Sequence, residues 1–201
     1  MDMIQRYLSL LICLLLPATT AHAVEDALWK ALHDGGNVLL MRHATTEKVN
    51  DPLLFEPDNC IFERDLSDQG VTLVLKMALA LRKHDVPIGE VYSSRFCRAI
   101  NTAWITYDKV ELWAPLDLIQ GLDEQQANQR MDKVAERIVA YKGKENMVMV
   151  THSPNINHLT LELIPYAGMV VLRPDGQGDF DVLGTISPND IFKRAAVDTH
   201  K

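Results

Sequence analysis

The apolar residues of this chain form two alternating patterns, short continuous runs and longer segments with helical spacing. The short runs predict buried β-strands at residues 37–41, 90–94 and 146–151. Apolar residues three and four positions apart predict helices at residues 24–33, 68–84, 98–107, 123–141 and 155–164. A short strand is predicted near residues 110–113, and a hairpin is predicted at 169–173 and 180–186. This alternation predicts a three-layer α/β/α sandwich around a mainly parallel sheet, with a C-terminal β-hairpin.

Single residues mark several boundaries between these elements. Gly35 and Gly36 end the first predicted helix, and Ser67 is the expected N-cap of the second. Gly70, in the first turn of that helix, predicts a close approach of another backbone segment. Residues 47–64 contain two prolines and no clear period, so we expect an irregular loop there. Its position after the first strand makes it a candidate lid.

The first 23 residues have the layout of a secretory signal peptide. Arg6 precedes the apolar run 7–16, and small residues lead to an expected cleavage site after Ala23. The apolar run is too short for a permanent membrane anchor, which needs about 20 residues. We therefore expect a soluble periplasmic or secreted protein with one domain over residues 24–201. The net charge of −7 and the lack of basic runs argue against nucleic acid or an anionic membrane as partner.

Each of the three core strands leads into an arginine or a histidine. Arg42 and His43 end the first, Arg98 follows the second, and His152 follows the third. Carboxyl ends of parallel strands meet at one edge of a sheet, so these four side chains are expected to lie together. The forked guanidinium groups of arginines suit the oxygens of a phosphoryl group better than the point charge of a lysine does. One such pair alone is a weak signal, but its recurrence at three strand ends predicts an oxyanion site.

The segments around these residues resemble the three motif blocks of the histidine phosphatase superfamily, also called phosphoglycerate-mutase-like. They are LLMRHATT (39–46), YSSRFCRAINTA (92–103) and MVTHSPNI (149–156), and the resemblance spans about residues 36–190. It implies a phosphomonoester phosphatase in which His43 attacks phosphorus and forms a phosphohistidine. It also implies that Arg42 and Arg98 bind the phosphoryl oxygens and that His152 donates to them. Thr46 would add a hydroxyl donor, while Arg64 and Asn155 are weaker candidates.

A general acid must protonate the leaving oxygen and later activate water. Some branches of the family carry an aspartate directly after the second histidine, but this chain has Ser153 there. Other branches use a carboxylate in the region where this chain has Asp123 and Glu124, and we expect Glu124 to be the acid. The alternative is that both are ordinary first-turn helix carboxylates and that the acid lies elsewhere, for example at Glu47.

Cys60 and Cys97 would face an oxidising compartment after export, which favours a disulfide between them. That bond would tie the long loop to the rim of the pocket and stabilise the fold by roughly 4 kcal/mol in the chain-entropy model. Two buried free thiols are the alternative.

No metal or other cofactor is expected, because two arginines would repel a cation and no Cys/His cluster has zinc-ligand spacing. A Gly-x-Ser-x-Gly elbow and a phosphate-binding glycine-rich loop are also missing from the sequence. Export and short length favour a phosphatase over a mutase. Within the family, the chain resembles small exported bacterial members, including those that act on phosphorylated sugars of lipopolysaccharide. The expected substrate is therefore a small-molecule or glycan phosphomonoester, and the alternative is a phosphate-binding pseudoenzyme on the same fold.

Overall fold

The structure is a computed structural model that describes residues 18–47, 60 and 63–197. Its elements, in chain order, are α1 (Ala18–Asp34), β1 (Val38–Arg42), α2 (Asp68–Lys83), β2 (Ile88–Ser93), α3 (Cys97–Tyr107), β3 (Glu111–Leu112), a 3₁₀ turn (Ala114–Leu116), α4 (Glu124–Ala140), β4 (Asn146–Thr151), α5 (Ser153–Thr160), β5 (Met169–Pro174), β6 (Phe180–Ile186) and α6 (Pro188–Val197). The predicted lid falls largely outside the described residues, as does most of the predicted signal peptide, and both stay predictions. Among the described residues, none of the helices has the length and apolar character needed to cross a bilayer.

The strands of the described part form one sheet in the order β3-β2-β4-β1-β5-β6. The first four are parallel to one another, and the β5–β6 hairpin joins β1 in antiparallel pairing. Both faces of β1 are buried: Leu39 and Met41 pack into one core cluster, Val38 and Leu40 into the other. Helices cover both faces, since Trp29 of α1 lies in the first cluster and Met131 of α4 in the second. The predicted three-layer sandwich with a mainly parallel sheet and a C-terminal hairpin is confirmed.

The predicted start of α2 is also confirmed at the level of single atoms. The Ser67 hydroxyl oxygen accepts a hydrogen bond from the Gly70 N–H at 3.2 Å, as an N-cap does. A side chain at Gly70 would overlap the carbonyl oxygen of Thr45, in the segment that follows His43. The glycine therefore allows α2 to begin directly against the chain that leaves β1.

Two predicted helix boundaries were wrong, and one helix was not predicted. α1 begins at Ala18 and not at residue 24, since residues 18–23 contain no helix breaker after Pro17. α5 ends at Thr160 and not at residue 164, because Leu161 adopts a left-handed conformation and Pro165 disfavours helix before it. The helix missed by the sequence analysis is α6. Its local signal is a capping box, in which Ser187 and Asp190 exchange hydrogen bonds.

Candidate active site

The register of two neighbouring parallel strands brings the two block histidines together. β1 and β4 pair Arg42 with Thr151, so His43 and His152 are the next residues on adjacent strands. The His43 N–H donates to the Thr151 carbonyl at 3.0 Å, and the two imidazole ring centres are 5.3 Å apart. Ser94 continues β2 beside them, with its N–H donating to the Val150 carbonyl at 2.9 Å. The predicted meeting of strand ends therefore arises from sheet pairing.

His43 is buried, with 6% of its surface exposed, and one contact shows which of its two ring nitrogens carries the proton. Its Nδ1 lies 2.8 Å from the carbonyl oxygen of Ala44, and a carbonyl can only accept. Nδ1 must therefore carry the proton, which leaves the lone pair on Nε2. Burial is the main cause that lowers the pKa of His43 to about 3, and the nearby charges of Arg98 and Arg42 lower it further. The imidazole is accordingly neutral at physiological pH.

His152 is fully buried and carries one unpartnered nitrogen. Its Nε2 is 2.9 Å from the Ser94 hydroxyl oxygen, which in turn lies 3.3 Å from Oδ1 of Asp117. Its buried Nδ1 has no hydrogen-bond partner among the described residues. Burial, followed by the neighbouring His43, holds the pKa of His152 well below its ordinary value. A buried nitrogen of this kind without a partner is unfavourable, and a ligand that hydrogen-bonds to it would remove that cost.

The two arginines are held differently. Arg42 donates from Nη1 to the Ile164 carbonyl at 3.0 Å, and its guanidinium carbon lies 3.8 Å from the centre of the Tyr166 ring. The buried Nε of Arg42 has no partner among the described residues. Arg98 is 1% exposed, and its guanidinium lies 4.6 Å from the centre of the Phe96 ring. Aromatic faces thus orient both guanidinium groups.

Thr102 connects the helix that carries Arg98 to the chain that carries His43. Its hydroxyl donates to the Arg98 carbonyl at 2.6 Å and accepts from the Ala44 N–H at 3.0 Å. A disulfide joins Cys60 to Cys97, the first residue of α3, with the two Cα atoms 5.5 Å apart. The disulfide and Thr102 both restrain the first turns of α3, where Arg98 lies.

Three residues that contact this site were not identified from the sequence: Ser94, Asp117 and Tyr166. Asp117 is 3% exposed and accepts hydrogen bonds from Nε and Nη2 of Arg95 at 2.8 and 2.6 Å. Ser94 had a usable signal, because it lies inside the second motif block. Asp117 and Tyr166 had none, because neither belongs to a motif block and both contacts are made across long stretches of chain.

The remaining predicted residues lie apart from this cluster or have other contacts. Thr46 pairs with Leu66 in an isolated bridge and lines an open cavity of about 340 Å³. Asn155 is buried, and its side chain bonds backbone groups of Leu116, Asp117 and Ile119, which is a structural arrangement.

Glu124 is exposed at the first position of α4 and lines a wide cavity of about 540 Å³ with other residues of that region. The neighbouring Asp123 is the N-cap of α4 and accepts from the Gln126 N–H at 2.8 Å. Of the two carboxylates, Asp123 thus has a structural role, and the acid role of Glu124 stays a prediction. Within the described part of the chain, no group of three or more His, Cys, Asp or Glu side chains is arranged to hold a metal ion.

The fold and the site together define an α/β protein whose sheet edge presents two arginines and two buried histidines, an arrangement suited to an oxyanion. No protein-family model matches the sequence, and no curated protein matches it. Solved structures do match it. The α-ribazole phosphatase from Shigella flexneri is similar with a TM-score of 0.58 and 17% identity, over 76% of this chain and 96% of that one.

Two further solved structures are similar over almost their whole length. The protein histidine phosphatase SixA, complexed with tungstate, matches with a TM-score of 0.54 and 20% identity, over 77% of this chain and 99% of that one. A mycobacterial glucosyl-3-phosphoglycerate phosphatase in complex with inorganic phosphate matches with a TM-score of 0.53 and 18% identity, over the same shares. At these identities the likeness establishes the fold. The chain therefore shares the fold of these three solved structures, which is the phosphoglycerate-mutase-like fold that its sequence blocks predict.

Proposed function

We propose that this protein is an exported, metal-independent phosphomonoester phosphatase that works through a phosphohistidine on His43. One observation carries the proposal: a neutral imidazole, with its lone pair on Nε2, lies at a strand edge beside Arg42, Arg98 and His152. A nucleophile needs that lone pair, and a phosphoryl group needs the surrounding positive charge. The fold shared with solved phosphatases supports the same reaction class.

In the first step, Nε2 of His43 forms a bond to phosphorus while the bond between phosphorus and the leaving oxygen breaks. Arg42 and Arg98 stabilise the charge on the phosphoryl oxygens, and the leaving oxygen takes a proton from the general acid, which we assign to Glu124. In the second step, the Glu124 carboxylate takes a proton from a water molecule as that water attacks phosphorus and the phosphorus–nitrogen bond breaks, which restores the acid form of Glu124. Phosphate leaves, and His43 returns to its neutral form with Nδ1–H still bonded to Ala44.

His152 takes up a proton when a phosphate dianion binds. The anion offsets the neighbouring positive charges that disfavour the imidazolium. The protonated ring then donates from Nδ1 to a phosphoryl oxygen and from Nε2 to Ser94, whose hydroxyl donates to Asp117. In that state every polar group from His152 to Asp117 has a hydrogen-bond partner. The separations of 2.9 Å between His152 and Ser94 and of 3.3 Å between Ser94 and Asp117 support this arrangement.

The substrate in this proposal is a small-molecule or glycan phosphomonoester outside the cytoplasm, such as a phosphorylated sugar of lipopolysaccharide. The signal-peptide layout of residues 1–23 and the resemblance to small exported phosphatases support it. The similar solved structures act on chemically different compounds according to their names, so the shared fold leaves the alcohol portion of the substrate open.

The test is hydrolysis of an aryl phosphate by residues 24–201, with EDTA present, beside the variants His43→Ala and His158→Ala. His158 is an exposed histidine of α5 and serves as the matched control. We expect the wild type to be active in EDTA. His43→Ala should lose about a thousandfold of the activity or more, and His158→Ala should keep the activity of the wild type. Phosphate binding without turnover on a panel of phosphomonoesters would favour the pseudoenzyme. If the protein neither hydrolyses any substrate nor binds phosphate, the proposed site is refuted.

The general acid is tested separately with an alkyl phosphate, whose poor leaving group requires protonation. Glu124→Gln is expected to lower the rate by about 10²–10⁴-fold, with a smaller loss on an aryl phosphate. Asp123→Asn, which keeps a residue suited to the N-cap, is the control and should retain activity. Full activity of Glu124→Gln on the alkyl phosphate would exclude Glu124 as the acid.

A further inference from the structure

The loop that follows α5, residues 161–166, forms one side of the phosphoryl site. The Ile164 carbonyl in this loop accepts a hydrogen bond from Nη1 of Arg42 at 3.0 Å. The centre of the Tyr166 ring lies 3.8 Å from the Arg42 guanidinium carbon and 5.7 Å from the centre of the His43 ring. A substrate whose phosphoryl group contacts Arg42 and His43 is therefore a direct neighbour of this loop.

The 161–166 loop is fixed at its start, its middle and its end. At the start, the Glu162 N–H donates to the Thr160 hydroxyl oxygen at 3.2 Å. In the middle, the side chain of Ile164 is buried in one of the two core clusters. Directly after the loop, the Ala167 N–H donates to the carbonyl of His43 at 3.3 Å. These contacts hold the loop in one position relative to the nucleophile.

Two large apolar side chains of this loop are exposed to solvent. Leu161 is 85% exposed and Leu163 is 79% exposed, which are the two highest values among the exposed large hydrophobic residues of the described part. Tyr166, which contacts Arg42, is partly exposed as well. Three exposed apolar residues thus occur within six positions, on the loop that binds an arginine of the anion site.

The stability of the fold does not account for a leucine at position 161. Its φ of 60° is left-handed, a conformation that glycine and asparagine adopt more readily than leucine does. Because Leu161 is almost wholly exposed, it also adds no apolar contact to the core. Single exposed apolar residues scattered over a surface are ordinary, whereas a group of them beside a binding site is typical of a surface that contacts a ligand.

We propose that Leu161 and Leu163 bind the apolar part of the substrate's alcohol, which makes the preferred substrate an amphiphilic phosphomonoester with an alkyl or acyl chain close to its phosphate. This inference rests on the proposed function. Consecutive Cα atoms are about 3.8 Å apart, so Leu163 lies within reach of a chain of several carbons that leaves a phosphoryl group on Arg42. The net charge of −7 disfavours an anionic lipid surface as the occupant, and the adjoining anion site favours a single substrate molecule.

The test measures kcat/KM on ethyl, butyl, hexyl and octyl phosphate, below the concentration at which micelles form. The readout is the ratio of kcat/KM on octyl phosphate to that on ethyl phosphate, in which a general change of activity cancels. A fully buried methylene strengthens binding about fourfold, and an open surface is expected to give about half of that free energy. The wild-type ratio should therefore be about tenfold or more, and in the double variant Leu161→Asn/Leu163→Gln it should fall to about twofold or less.

The variants are chosen to keep the fold. Asparagine tolerates the left-handed conformation at position 161, so thermal unfolding should match that of the wild type. The matched control is Leu79→Gln, which removes an exposed leucine from α2 and should keep the wild-type ratio. A wild-type ratio near one, or a wild-type ratio retained in the double variant, would refute the inference.

Two other occupants of this surface give different results, and each would also refute the inference. If the leucines bind a lipid surface, the chain-length effect should appear only above the concentration at which micelles form. If they bind a second copy of the chain, the double variant should change the sedimentation behaviour and leave the ratio unchanged.

The outcomes separate this inference from the function on which it rests. If His43→Ala abolishes hydrolysis of an aryl phosphate while the wild type shows no preference for longer chains, the role of the leucines is refuted and the phosphatase stands. If the wild type binds phosphate without turnover, the ratio of the binding constants of octylphosphonate and ethylphosphonate, measured by calorimetry in the same variants, decides the role of the leucines. If the wild type neither binds nor hydrolyses, both proposals fail.

Discussion

The amino and carboxyl ends of the parallel strands both bury polar side chains, yet they satisfy them differently. At the amino end, Asn37 and Asn146 are fully buried and bonded to each other at 3.1 Å. The Asn37 side chain also donates to the Ala31 carbonyl at 2.7 Å. The Asn146 side chain donates to the carbonyls of Leu32 and Pro87 at 2.7 and 3.0 Å. These neutral amides join α1 and the strands into one satisfied network.

At the carboxyl end, several of the buried polar groups are titratable or charged, and some buried nitrogens have no hydrogen-bond partner among the described residues. Nδ1 of His152 and Nε of Arg42 are the clearest examples. Burial also lowers the pKa of both His43 and His152. A buried polar group without a partner destabilises a fold by about 1–3 kcal/mol, so an edge with several of them is suited to a ligand that supplies the missing bonds. We therefore expect the amino end to contribute mainly to stability and the carboxyl end mainly to the proposed function.

Among the variants that test this comparison, His152→Ala at the carboxyl end is expected to have the largest effect. Loss of a donor to the transferring phosphoryl group should lower kcat/KM on an aryl phosphate by about 10²–10³-fold. The free energy of unfolding should change by less than about 1 kcal/mol, because the lost ring was partly unsatisfied. Kinetics and urea unfolding measure the two quantities, with exposed His158→Ala as control. A His152→Ala protein that is less stable than the wild type but fully active would contradict a mainly functional role of the carboxyl end.

A smaller effect, on stability alone, is expected from Asn146→Ala at the amino end. The change removes the donor to the Leu32 carbonyl and the acceptor that joins Asn37 to this network, so the free energy of unfolding should fall by about 2–3 kcal/mol. The kcat/KM of the folded protein should stay within about twofold of the wild type. Urea unfolding and kinetics on the same samples measure both, and Asn189→Ala on α6 is an exposed control. Loss of activity without loss of stability would contradict the purely structural role of Asn146.

The smallest effect, counted for a change of one pH unit, is expected in the free energy of unfolding as a function of pH. The unfolded chain protonates His43 near its ordinary pKa of 6.5, whereas the folded chain does so only at about 3. The unfolded state therefore binds more protons in this window, and the stability falls as pH decreases from about 6.5 towards 3. One such histidine contributes at most about 1.4 kcal/mol per pH unit. His152 adds to the slope in the same direction, since its pKa is also lowered.

Urea unfolding at several pH values measures this slope in the wild type and in His43→Asn, which removes the imidazole. The variant should show a shallower slope over the same window. Equal slopes in the two proteins would mean that His43 is not held neutral by the fold. Saturating phosphate should also flatten the wild-type curve, because the bound anion favours the protonated form of the histidines.

The positions of the strands, most helix ends and the four central site residues could be predicted from the sequence because their signals are local. An apolar run followed by Arg42 and His43 specifies a strand end within a few residues. Ser67 and Gly35 act on the backbone next to them, and the structure shows both in these roles. The missed helix α6 also had a local signal in Ser187 and Asp190, so that omission was an oversight of a readable pattern.

The finer properties of the site were decided by tertiary structure, because each depends on residues far apart in the chain. The register between β1 and β4 places His43 beside His152. Contacts of Arg42 with Ile164 and of His152 with Ser94 span 122 and 58 residues. Burial among those distant residues lowers the pKa values. The sequence determined which groups reach the sheet edge, and packing against the distant Ser94 decided which nitrogen of His152 is left without a partner among the described residues.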